Sequence, residues 1–91
     1  MTVYAVEYTY TNDTQTLDRV RPEHRAFLRG RLETGQLLAS GPYADGGALL
    51  LFSVPSRTEL DDLLAADPFA SVGVIAGLSV REWSPVIGPW A

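Results

Sequence analysis

Cysteine and lysine are both missing from this 91-residue chain, and histidine occurs once. Without cysteine there is no disulfide, no thiolate nucleophile and no sulfur ligand, which fits a reducing cytoplasm. Without lysine there is no amine to form a Schiff base with a carbonyl substrate. One histidine cannot make a paired-histidine metal motif, and the carboxylates at Asp61, Asp62 and Asp67 form no recognisable ligand set, so no metal is expected. Long uncharged runs are also lacking, because glycine or proline breaks each of them. Met1-Thr2-Val3-Tyr4 has neither the basic nor the apolar region of a signal peptide. The expected setting is therefore cytoplasmic, with no membrane contact.

The net charge is −4 and all seven basic residues are arginine, with no basic stripe to track phosphates, so nucleic acid is not an expected partner. With 46% hydrophobic and 20% charged residues the chain reads as one folded domain over 1–91, with 84–91 as an extended tail. A chain of this length buries about 60–70% of its unfolded surface. That leaves a thin core, which association with a second copy would thicken.

Val3 to Tyr10 alternates as a strand, with Tyr4, Val6, Tyr8 and Tyr10 on one side. Thr11 to Arg21 reads as a polar loop. Pro22 suits the first position of a helix running to Glu33, with Phe27, Leu28 and Leu32 at helical spacing and Gly35 as its stop. Gln36 to Tyr43 and Ala48 to Val54 form a hairpin about Asp45-Gly46-Gly47, which is a turn and not a phosphate loop because no helix follows it. Leu49, Leu50, Leu51 and Phe52 do not alternate, so this strand is expected to be central, with helices on one face and, on the other, either a partner subunit or an apolar face left mostly exposed over one or two residues. Ser56 opens a second helix through a capping box to Glu59, with Leu60, Leu63 and Leu64 buried up to Ala66. Asp67-Pro68 interrupts it. Val74 to Trp83 closes the domain as a strand with Val74, Ala76, Leu78 and Val80 on one face.

This order is the ferredoxin-like βαββαβ arrangement, an α+β fold with both helices on one face of a four-stranded antiparallel sheet. Its geometry brings three segments to one edge: the start of the first helix, the end of the second strand, and the link into the last strand. His24, Ser40-Gly41-Pro42 and Asp67 therefore converge. His24 falls on the hydrophobic face of its helix, and an imidazole aimed at a core needs a polar partner. Asp67 is the best candidate.

Arg21-Pro22-Glu23-His24, Ser40-Gly41-Pro42 and Asp67-Pro68-Phe69 followed by Val72-Gly73-Val74 resemble, in that order and spacing, the pattern of the YCII-related family over nearly the whole chain. The resemblance implies a dimeric α/β barrel in which two ferredoxin-like sheets face each other. It also implies an active site containing the His and Asp that match His24 and Asp67. The family is similar in fold to muconolactone isomerases, and some relatives look like lyases acting on chlorinated hydroxyquinols.

Two roles fit the pair. In one, Asp67 holds a single tautomer of His24, which exchanges protons with a small cyclic or aromatic substrate during isomerisation or elimination, without a cofactor. In the other, the domain is a non-catalytic ligand-binding or accessory module in which His24 satisfies a buried hydrogen bond and Asp67 caps the turn at Pro68. A helix N-terminus disfavours the imidazolium and a carboxylate favours it, so the net effect on His24 is unsigned. Ser40, Gly41, Pro42 and Phe69 are the candidate substrate-binding residues. Tyr4 and Tyr8 fit core or dimer contacts better than a pocket. Arg19 and Arg21 border the proposed mouth, where they either attract an anion or are simply solvated.

Overall fold

The computed structural model describes residues 1–91, with elements β1 (Thr2–Tyr10), α1 (Thr14–Glu33), β2 (Leu37–Pro42), β3 (Ala48–Val54), α2 (Arg57–Ala66), α3 (Pro68–Ser71) and β4 (Ile75–Glu82). One antiparallel sheet has the order β2-β3-β1-β4, which is the ferredoxin-like topology the element order implies. No helix is long and apolar enough to cross a membrane.

Alternation decides which side of the sheet is packed. Tyr4, Val6 and Tyr8 of β1 face Phe52, Leu50 and Ala48 of β3, and all six are buried against Leu28 of α1 and Leu60, Leu63 and Leu64 of α2. Val3, Ala5, Leu49 and Leu51 alternate to the other face, away from both helices. β3 is an interior strand, as its unbroken apolar run predicts. At the hairpin, Gly46 and Gly47 both take positive φ, and a Cβ on Gly47 would stand 2.6 Å from the Tyr8 carbonyl oxygen. Only glycine fits there, and the turn thereby fixes the β3 register against β1.

Several expectations need correction. Thr14 to Arg21 is not loop but the first two turns of α1, capped by Asp13, whose carboxylate accepts from the Thr16 backbone N–H at 3.2 Å and its hydroxyl at 2.7 Å. Leu17 and Val20 extend the stripe of His24 and Leu28 at spacings of three and four residues, while Leu32 at its far end is 53% exposed. Pro22 consequently lies inside the helix and not at its start. It sits on the exposed face, where water can serve the Asp18 carbonyl that its missing N–H leaves unpaired.

In β4, a bulge opposite Thr9 and Tyr10 sets Ile75, and not Ala76, across from Tyr10, so the helix-facing set is Ile75, Leu78 and Val80. Between α2 and β4 the chain forms the short helix α3, which the sequence reading treats only as a turn. Phe69 and Val74 from this segment pack with Leu17 and Val20 into a second small core. That core anchors the first half of α1 over the end of β1.

Candidate active site

Asp67 ends α2 and begins α3. As N-cap of α3 its Oδ1 accepts from the Phe69 N–H at 3.0 Å, the role Asp-Pro commonly plays. The same carboxylate also accepts from His24: Nδ1 lies 2.8 Å from Oδ1 and 3.0 Å from Oδ2, across 43 residues of sequence. The third donor is Tyr8, whose hydroxyl reaches Oδ2 at 2.9 Å from β1. Asp67 is fully buried and His24 is 6% exposed, so this chain of three side chains runs through the interior.

His24 is the eleventh of 20 residues in α1 and not near its N-terminus, which removes the helix-end influence expected for it. What orients the ring is local. Asp67 holds Nδ1, and Phe69 stacks on the imidazole with centroids 4.0 Å apart and planes 13° apart. Tyr10 packs edge-on against Phe69 at 5.4 Å. With Nδ1–H donated to a carboxylate, the neutral ring presents Nε2 as an acceptor. Nε2 has no partner within the chain.

That nitrogen belongs to a ring lining an open cavity of about 740 Å³ between α1 and β2. Ser40, Gly41, Pro42 and Phe69, the four candidate substrate-binding residues, line it with His24. Asp67 and Tyr8 stand behind His24 and do not reach the cavity wall. Tyr4 belongs to the main core. Of the two arginines expected at the mouth, Arg21 lines the cavity and Arg19 does not. No group of three or more metal-ligating side chains is gathered, and all the bonded oxygens of Asp67 already serve protein donors.

In the sequence alone Tyr8 reads as a core or dimer contact. The signal that finds it is register: Tyr8 is on the helix-facing side of β1, two residues from the strand end that meets α3. Burial, then the nearby Asp67 charge and the hydrogen bond to it, pushes the Tyr8 hydroxyl well above the ordinary tyrosine range. Tyr10 is raised for the first two of these reasons, with Arg21 opposing. A tyrosine whose folded-state pKa is raised contributes stability that is present below its unfolded value, near 10, and lost above it. Stability should therefore fall from about pH 10 upward, with Tyr8 contributing a slope of about 1.4 kcal/mol per pH unit. Urea unfolding between pH 9 and 12 checks this: the slope in Tyr8→Phe should be shallower by that amount, and equal slopes would contradict the assignment.

No sequence among curated proteins matches this chain significantly. Solved structures do. The 5-chloro-2-hydroxyhydroquinone dehydrochlorinase TftG from Burkholderia phenoliruptrix, in complex with 2,5-dihydroxybenzoquinone, superposes with a TM-score of 0.79 at 19% identity, covering 90% of this chain and 93% of that one. A structural-genomics protein from Agrobacterium tumefaciens gives 0.64 at 18% identity, with 100% of both chains covered. An antibiotic biosynthesis monooxygenase gives 0.59 at 18% identity over 96% of this chain and 100% of its own. At such identities the likeness establishes the fold alone, a ferredoxin-like α+β unit. The family assignment comes from the sequence itself: the model of the YCII-related domain matches residues 1–84, and the chain belongs to that family.

Proposed function

We infer that this protein is a small enzyme in which Nε2 of His24 acts as general acid and base on a small cyclic or aromatic compound held in the cavity between α1 and β2. The observation that carries this reading is the Tyr8–Asp67–His24 chain, which ends on an unpartnered ring nitrogen of a residue that lines the cavity. A purely structural histidine would use both nitrogens or be sealed by packing. Here one nitrogen is held by a buried carboxylate and the other is free, the arrangement a proton-transfer group requires. Asp67 and Tyr8 are positioning residues that fix the tautomer and the ring.

Removal of a proton from an acidic carbon or a phenolic oxygen, followed by isomerisation or expulsion of a leaving group, needs one base of this kind. The likeness to a dehydrochlorinase crystallised with a dihydroxyquinone makes hydroxylated aromatics the first compounds to try. A cavity of about 740 Å³ is within the range that accepts such molecules. The test is a panel of hydroquinols, chlorinated hydroquinols and enol lactones, followed for binding by NMR and for product by chromatography. Ligands that shift the Ser40 and Phe69 resonances should include one that is consumed. Cavity binders that persist unchanged through the whole panel would favour the accessory-domain reading instead.

The working unit in this proposal is a homodimer. Helices cover one face of the sheet, while Val3, Ala5, Leu49 and Leu51 form an apolar stretch on the other. Leu51 is already buried in the single chain and Val3, Ala5 and Leu49 are half-buried, so a second copy would cover what remains of them, at about 25 cal/mol per Å² of apolar surface. Light scattering should give twice the 9.9 kDa chain mass, and Leu49→Arg should restore the monomer mass. A wild-type monomer at micromolar concentration would contradict it.

A further inference from the structure

We propose that the cavity selects anionic ligands, through Arg25 and Arg29 on α1, so that the substrate is a ring carrying a carboxylate or an ionised hydroxyl. The proposal rests on the catalytic reading of His24 for the word substrate, but not for the binding it predicts.

The chain as a whole is acidic, with 11 Asp and Glu against seven Arg. The cavity beside His24 is the reverse: Arg21, Arg25 and Arg29 line it and no acidic side chain does. The three recur at four-residue spacing, so they form one ladder on α1 beside the buried stripe of His24 and Leu28. Arg21 is neutralised by Asp18 in an ion pair. Arg25 and Arg29 take part in none of the four ion pairs of the structure and in no side-chain hydrogen bond. Two guanidinium groups without counter-charges thus stand on the wall of a cavity that is otherwise mostly apolar.

The opposite wall, from β2, contributes the Ser40 hydroxyl, which also has no partner in the chain and can donate to an anion. Arg29 follows His24 by five residues, which places its backbone about 7.5 Å further along the helix axis. A planar body spanning that interval sets an acidic group against the guanidinium fork while its reacting end meets Nε2. Arginine suits this task because its planar donors match a carboxylate two-to-two and stay charged at every accessible pH.

The test uses calorimetric or NMR titration of benzoate and 4-hydroxybenzoate against the uncharged benzamide and 4-hydroxybenzamide, with the wild type, Arg25→Gln, Arg29→Gln and the double variant. Glutamine keeps helix propensity at both exposed positions, so the fold is retained. The acids should bind at least 10-fold more tightly than the amides, weaken with added salt, and lose the preference in the double variant while amide binding is unchanged. Equal affinity of acid and amide in the wild type, a preference that survives in the double variant, or no binding of either acid at millimolar concentration would each overturn the proposal. Turnover of neutral compounds without acid preference would defeat this inference and leave the catalytic reading standing. Acid preference without turnover of any bound compound would do the opposite.

Discussion

His24→Gln is expected to lower kcat on any compound the wild type turns over by about 10²- to 10⁴-fold, the range a positioned general base contributes. Glutamine is chosen because it can donate an N–H to the Asp67 carboxylate, so the buried acceptor keeps a partner. What it lacks is a group that takes up and returns a proton. KM should change little, since the cavity wall formed by Ser40, Gly41, Pro42 and Phe69 is untouched. A rise in KM with kcat unchanged would mean that His24 binds ligand and does not transfer protons, and undiminished turnover would remove it from the chemistry.

Asp67→Ala is the substitution with the largest expected effect on stability. It strands three buried donors at once: the Tyr8 hydroxyl, the Phe69 N–H and the His24 ring N–H. Removing one partner of a buried, hydrogen-bonded pair costs about 3–5 kcal/mol, against a total of about 5–15 kcal/mol for a domain. The α3 cap is lost as well, and with it part of the small core around Phe69. The urea midpoint should therefore fall by a third or more, at an unchanged slope. Asp67→Asn separates stability from positioning. It retains size and one acceptor oxygen, so the fold should largely survive, but its amide N–H cannot accept the His24 proton and drives the ring toward the other tautomer. An Asp67→Ala protein as stable as the wild type would show that the buried network contributes little.

The convergence of His24 and Asp67 was legible because topology alone fixes which ends of which elements meet in a βαββαβ unit. Ser40, Gly41, Pro42 and Phe69 follow from the same placement. The start of α1 was not, because Thr14-Gln15-Thr16 is polar and Pro22 draws attention as a helix opener. Asp13 as a cap, together with Leu17 and Val20 in phase with His24, carries the true signal. Tyr8 escaped for another reason. An inward tyrosine on a strand is consistent with plain core packing, and its hydrogen bond spans 59 residues. Only the registers of β1 against β3 and β4 bring it under α3. The bulge at Ala76 is equally silent in the sequence, since one extra residue inverts which side chains face inward.

The proposed chemistry turns on one imidazole ring. Because the chain has a single histidine, nitrogen-15 NMR of the uniformly labelled protein reads that imidazole without ambiguity. The neutral ring should carry its proton on Nδ1, Nε2 should show the shift of an unprotonated nitrogen, and the Nε2 resonance should move when a cavity ligand is added. A neutral ring protonated on Nε2, or one unaffected by a ligand shown to occupy the cavity, would contradict that chemistry.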